Sequence, residues 1–317
     1  MTDRSDGGSA AASPAEEIAA DTEHGASHLS VRALEALRDR AAALAAEREG
    51  GGSTAASPDE EFEALAALAR RLLAARPSMA VLRNRVNRTM TAALDEAGGA
   101  PVDAPTLRDA AADAIDRALA ADAAAAASAA DRISGPMLTL SRSGTVGAAI
   151  RDGDPSRVFV AESRPAREGV AVAESLAADD AVDCPVVVHT DAAVAHVLAT
   201  EPVDRVVVGA DTVLPTGAVV NKTGTRTAAL AAEREGIPVT VVAATDKVAT
   251  RDRAVSETGD QSAVYDDDTP IEVRNPTFDV TPADLVDEVV TERGALDADG
   301  IEAVAAELRA AAAWTER

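Results

Sequence analysis

Asp211 and the pair Asn221-Lys222 are the residues whose types and spacing best suit chemistry. They fall within VVVGADTVLPTGAVVNKTGT, Val206 to Thr225. Val206 to Val208 is an apolar run too short for a helix, which suits a parallel strand buried on both faces. Asp211 then falls just past the strand's carboxyl end, where open α/β sheets bind their ligands. The competing reading is an acid that caps a helix or closes a turn. In the second group Lys222 is the more telling member, because of thirty basic residues only Lys222 and Lys247 are lysine. An ammonium is a point charge with rotatable donors, suited to a phosphate or a polarised carbonyl oxygen.

Other groups come with two readings each. Ser141-Arg142-Ser143-Gly144-Thr145 joins a strand to a helix and could cradle an anion or simply provide a Ser cap. Arg164, in Glu162-Ser163-Arg164-Pro165, offers a planar fork to a phosphate or carboxylate, or an ion pair to Glu162 or Glu168. Asp191 follows another strand and could share acid–base work with Asp211 or cap the helix starting at Ala192. His24 and His28 are spaced i,i+4 but no third ligand is near, and His189 and His196 lie elsewhere, so no metal or other cofactor is expected. The single cysteine, Cys184, cannot form an internal disulfide and reads as a buried strand-edge residue. Six arginines from Arg70 to Arg88, without interleaved aromatics, read as a solvated helix face or an oligomer contact.

The elements that must position these groups follow from texture. The chain has 317 residues, 47% of them apolar, with three Phe, one Trp and one Tyr. Its core must therefore be small and branched aliphatics. Residues 1–20 read as a disordered polar tail and 21–132 as a helical domain, with helices at Leu29 to Glu47, Phe62 to Ala75, Ser78 to Leu94 and Ala104 to Arg132. From Ile133 short apolar runs (Met137 to Leu140, Val158 to Ala161, Val186 to His189, Val206 to Val208, Val239 to Ala243) alternate with helical patterns. That alternation predicts an α/β domain over 133–317, a Rossmann-like doubly wound parallel sheet. Pro282 to Arg293 and Gly300 to Trp314 read as helical. The net charge of −24 and the pI near 4.5 disfavour direct nucleic-acid binding and anionic membranes. The same acidity, with so little lysine, resembles proteins of salt-loving archaea. Without an apolar run long enough to span a bilayer, the chain is expected to be soluble and cytoplasmic.

Taken jointly, several motifs resemble the initiation factor 2B alpha/beta/delta family, whose relatives include methylthioribose-1-phosphate isomerase and ribose-1,5-bisphosphate isomerase. They are Glu23-His24-Gly25-Ala26-Ser27, Ala75-Arg76-Pro77-Ser78-Met79-Ala80, Glu162 to Pro165, Gly209-Ala210-Asp211, Asn221 to Thr225, and Asn275-Pro276-Thr277-Phe278-Asp279-Val280-Thr281-Pro282. The resemblance implies a homo-oligomer, a dimer or larger, and a sugar phosphate or nucleotide ligand held by Gly25, Ala26, Arg164, Asn221 and Lys222. It also implies that Asp211 is one member of a catalytic pair. The other, a Cys in the isomerases, is replaced here by Ser141, and an alcohol exchanges protons at neutral pH only with strong activation. On the sequence, a regulatory subunit of the initiation factor 2B type therefore stands first, with a translation initiation factor as a possible partner. An aldose–ketose isomerase of ribose-1,5-bisphosphate or a related ribose phosphate, using Asp211 and Ser141, is the alternative.

Overall fold

The computed structural model describes residues 12–21, 24–50, 56–267 and 269–316. Among the described residues five helices come first: α1 (Pro14–Ala20), α2 (Ala26–Glu49), α3 (Pro58–Ala75), α4 (Ala80–Glu96) and α5 (Ala104–Ala130). Most of the expected polar tail lies outside the described residues, but its end is α1, fixed by a reciprocal capping box between Ser13 and Glu16 and by burial of Ile18. The same Ser-x-x-Glu device, with Pro at the first helical position, starts α3 at Ser57. Leu34, Leu37, Leu65, Leu72, Leu82 and Leu107 close the helical core. Alanine lets α5 run unbroken for 27 residues, about 40 Å. Its first half packs in the helical core through Leu107 and Ile115, and its second half packs on the sheet through Ala126 and Ala129.

Six parallel strands follow: β1 (Ser134–Leu140), β2 (Asp154–Ala161), β3 (Val186–His189), β4 (Arg205–Gly209), β7 (Val239–Val242) and β9 (Glu288–Thr291). With β10 (Gly294–Leu296) paired antiparallel at one edge, the order across the sheet is β10-β9-β7-β4-β1-β2-β3. Adjacent valines point to opposite layers: Val206 and Val208 face one core and Val207 the other. Helices α6 (Gly144–Asp152), α7 (Glu168–Ala177), α8 (Val194–Thr200) and α9 (Thr225–Glu235) make the crossovers, and α10 (Ala298–Ala311) closes the chain. The expected doubly wound α/β sheet is present. Between β4 and β9 the chain also builds a small antiparallel sheet, β5 (Thr212–Val213), β6 (Val219–Lys222) and β8 (Phe278–Thr281), in the order β5-β6-β8.

One expected helix is absent. Pro282 to Arg293 forms a single 3-10 turn, Ala283–Leu285, and then β9. Val289 and Val290 are both buried, on opposite faces of the sheet, which is the alternation of a strand, and their β-branched side chains favour it. Beyond α10, Trp314 turns back into the helical core, where its indole N–H donates to Asn87 Oδ1 at 2.9 Å and the Arg70 guanidinium lies over its ring at 5.8 Å. No helix among the described residues is long and apolar enough to cross a membrane.

The strand order reverses direction between β1 and β4, since the chain runs outward through β2 and β3 and then returns to β1's other side. A crevice at the carboxyl ends of strands flanking such a switch point is where this fold binds ligands. Two glycines allow the close approach there. A Cβ on Gly209 would lie 2.7 Å from Ser143 Oγ, and one on Gly169 would lie 1.9 Å from the carbonyl oxygen of Ala161. Gly169→Ala should lower stability by at least about 2 kcal/mol, because the obstruction is backbone. Gly144→Ala, which meets nothing within 4 Å, should stay within about 0.5 kcal/mol of wild type. Paired denaturant melts measure both.

Candidate active site

Ser141 directly follows β1 and Asp211 follows β4 by two residues, so both lie at the switch point. Ser141 adopts φ 59° and Ser163 φ 61°, left-handed conformations that cost an L-residue about 1–2 kcal/mol. The cost is offset by fixed bonds. The Ser141 amide donates to Ser163 Oγ at 2.7 Å, and the amides of Ser163 and Arg164 donate to the two carboxylate oxygens of Asp191 at 2.8 and 2.7 Å. Asp191 is thus a brace for this turn rather than a second acid beside Asp211. Ser143 caps α6, its Oγ accepting from the Val146 amide at 3.3 Å, which favours the cap over the anion cradle.

The Ser141 hydroxyl donates to Glu168 Oε2 at 3.0 Å, and the same carboxylate accepts from Lys222 Nζ at 3.0 to 3.1 Å. Glu168 reaches this position because it begins α7 immediately before Gly169, whose lack of a Cβ lets the helix press against the end of β2. Lys222 ends β6 and comes from the small sheet. Asn221 is buried, and its amide donates to Thr225 Oγ1 at 2.9 Å, which in turn donates to the Lys222 carbonyl at 2.7 Å. That pair shapes the loop that presents Lys222. The amides of Gly224 and Arg226 at the start of α9 are taken by the Asp279 carboxylate, at 2.8 and 3.2 Å. A phosphate would therefore meet the Lys222 side chain rather than this helix terminus.

Asp211 keeps some solvent contact as a residue, but its carboxyl lies among protein atoms. Loss of water is the largest influence on it and raises its pKa above the ordinary 3.8. Lys247 and Lys222 oppose the rise, and Glu257 and Glu168 add to it. Lys247 is itself buried. Its ammonium donates to the carbonyl of Ala210, next to Asp211, and desolvation lowers its pKa below 10.5 while Asp211 pulls it back up. The two lysines of the chain thus converge on one carboxyl.

The helical part reaches this place too. Asn84 on α4 donates to the carbonyls of Asp246 and Val248, both at 2.7 Å, and so holds the backbone on either side of Lys247. Arg85 is buried and bonds Asp246, Asp122, Ser30 and the Ala118 carbonyl; Arg88 also pairs with Asp246, at 2.7 Å. Arg76 holds the carbonyls of Ile18 and Asp21, while Ser78 donates to Glu257 and its carbonyl accepts from Thr212 Oγ1. Of the arginines expected to form a solvated face or an oligomer contact, Arg70 and Arg71 are exposed, whereas Arg76, Arg85 and Arg88 are engaged in contacts between elements.

Of the residues singled out in sequence, Ser141, Asp211 and Lys222 come together, with Asn221 behind them. Arg164 is exposed, with only its backbone bonded to Asp191. Gly25 is the N-cap of α2, and Ala26 packs into the helical core. Sequence reasoning misses Glu168, Lys247, Glu257 and Asn84 as site residues. Lys247 carried the signal that singled out Lys222, its rarity. Cys184 is half-buried just before β3, and burial pushes its thiol pKa up. Two recesses of about 660 and 310 Å³ lie elsewhere, the first among α1, α2 and α3 and the second beside Arg88 and Asp246. The candidate site rests on its charges and bonds rather than on cavity size.

A model of the initiation factor 2 subunit family matches residues 22–298. The chain belongs to that family. Within the initiation factor 2 subunit family it is 34% identical over 174 residues to methylthioribose-1-phosphate isomerase of Pseudomonas fluorescens (strain Pf0-1), a match covering 49% of this chain and 45% of the relative. The match therefore spans about half the length of that curated relative. Two solved structures share the fold. One is the translation initiation factor eIF-2B of Pyrococcus horikoshii OT3, with a TM-score of 0.71 and 25% identity over 89% of this chain and 95% of that one. The other is 5-methylthioribose 1-phosphate isomerase of the same organism, with a TM-score of 0.72 and 24% identity over 94% and 86%.

Burial of Asp211 fixes the sign of its response. Its native pKa is raised, so the folded chain holds this proton more tightly than the unfolded chain does. The group's contribution to stability is full below about pH 3.8 and is lost as pH rises through the native value. Lys247→Met should raise the Asp211 pKa further, whereas Glu257→Gln should lower it. A carboxyl-carbon NMR titration of Asp211 reads both directions.

Proposed function

We propose that this protein is an aldose–ketose isomerase acting on a ribose 1-phosphate. The observation that carries the reading is the Asp211 carboxyl, desolvated at the switch point beside Lys247 and Lys222. Isomerisation shifts a hydrogen from C2 to C1 while one sugar oxygen gains a proton and another loses one, and burial, by raising the pKa of this carboxyl, favours the form that can donate. Lys222, at the end of the central strand of the small sheet, supplies a cation for the phosphate. The resemblance of half the chain to methylthioribose-1-phosphate isomerases supports the same reaction class.

The regulatory reading, first on sequence because Ser141 stands where the isomerases have Cys, now ranks second. It gives no task to a carboxyl set up as a proton donor, and Ser141 is not an isolated alcohol but one bonded to a carboxylate. The substrate is methylthioribose-1-phosphate or ribose-1,5-bisphosphate, both of which carry the 1-phosphate that the reading requires.

Purified protein in molar salt should convert one of these two sugars to its ketose, followed by NMR of the product. Asp211→Asn should lower kcat by about 10²–10⁴. If wild type binds both sugars without converting either, and Ser141→Cys gains conversion, the regulatory reading replaces the isomerase.

A further inference from the structure

The geometry around Ser141 points to Glu168 as the proton acceptor of this site, acting through the Ser141 hydroxyl. The inference rests on the isomerase reading and adds the group which that reading lacks. An isomerase needs an acceptor as well as a donor, and Ser141 alone is a poor one because an alcohol holds its proton too tightly. Here the hydroxyl is already committed as a donor, to Glu168 Oε2 at 3.0 Å. A hydroxyl whose own proton has somewhere to go can accept another in the same movement, the logic by which a neighbouring base activates a serine.

The carboxylate is held for this task. Lys222 donates to it from β6, Ser141 from the end of β1, and Gly169 lets α7 approach closely enough to bring it there. Both of its oxygens are held, Oε1 by the Lys222 ammonium and Oε2 by the Lys222 ammonium and the Ser141 hydroxyl. Asp211, from the end of β4, lies within reach of the Glu168 charge, along with Lys222, Lys247 and Glu257. Two carboxyls in different surroundings, one desolvated and one paired with an ammonium, divide acid from base.

The proton balance is complete. In a ribose whose anomeric oxygen carries phosphate, ring opening breaks the bond between C1 and the ring oxygen. The bonding pair stays on that oxygen, which takes the Asp211 proton. C1, left short of electrons, receives the hydrogen of C2 together with its bonding pair. The O2–H pair then closes the C2 carbonyl as its proton passes to Ser141 Oγ, and the original Ser141 proton passes to Glu168. Turnover ends with Asp211 ionised and Glu168 protonated, and exchange of one proton with water at each group restores the start.

Glu168→Gln keeps the length of the side chain and removes its basicity. Measured on whichever ribose 1-phosphate the wild type converts, it should lower kcat at least about 100-fold, leave KM within about threefold, and abolish the acidic limb of the kcat–pH profile. Glu168→Asp should recover part of the rate. If Glu168 merely anchors Lys222, Glu168→Gln would raise KM and leave both kcat and the acidic limb in place, which overturns the inference while the isomerase reading stands. A wild type inactive on both sugars overturns the two together. Should Glu168→Gln fail to fold, Ser141→Ala breaks the same relay with the Glu168–Lys222 pair intact. A loss of kcat at steady KM together with loss of the acidic limb then supports the inference, and an unchanged kcat or a retained acidic limb overturns it.

Discussion

A carboxyl group with little water around it must be met by charge or carry a proton, and Asp211 places this choice at the switch point of the sheet. Both lysines of the chain are drawn to it, yet burial still outweighs them in setting its proton affinity. Much of the surrounding architecture can be understood as the means of holding that balance. The small sheet β5-β6-β8 exists between β4 and β9 as an excursion that delivers Lys222, and the turn after β7 delivers Lys247. The bond from Lys247 to the Ala210 carbonyl fixes one cation a residue away from the acid.

The helical part of the chain contributes rigidity to this arrangement. Asn84 holds the backbone on both sides of Lys247, and Arg85 collects Asp246, Asp122 and Ser30 into one buried network. A buried ion network contributes little net stability, since desolvation offsets the attraction, but it is costly to break by halves. Its effect is to fix where helices α2, α4 and α5 stand relative to the turn that carries Lys247. The long α5, shared between two cores, reinforces the same alignment. The electrostatics of Asp211 are therefore set by both halves of the chain.

Much of the fold was legible in the sequence. The alternation of valine runs with amphipathic stretches yields β1 to β4, β7 and most crossovers, because a strand buried on both faces leaves a pattern no helix shares. Pro282 to Arg293 misled because Pro, Ala, Asp and Leu at its start suit a helix, whereas Val289 and Val290 answer to a sheet whose edge is set 40 or more residues earlier, by β7. For the site, strand ends pointed to Ser141 and Asp211, and rarity pointed to Lys222. Glu168 could be read from the sequence only as a neighbour for Arg164; its pairing with Ser141 and Lys222 depends on Gly169 pressing against the Ala161 carbonyl, a contact between elements that spacing along the chain does not encode. Asp191 was ambiguous for a similar reason: cap, brace and acid are the same residue type at the same strand end, and only its bonds to the Ser163 and Arg164 amides decide.

The near-absence of lysine has a practical side. Apart from the chain terminus, the primary amines of this protein are Lys222 and Lys247, and the second is buried. Reagents that label, immobilise or cross-link through amines, harmless surface chemistry on most proteins, have Lys222 as their one accessible side chain here. Reacting it would neutralise the cation that faces Glu168 and Asp211. Surface attachment of this protein must go through carboxylates or the Cys184 thiol, and an amine reagent becomes instead an occupancy probe of the site itself.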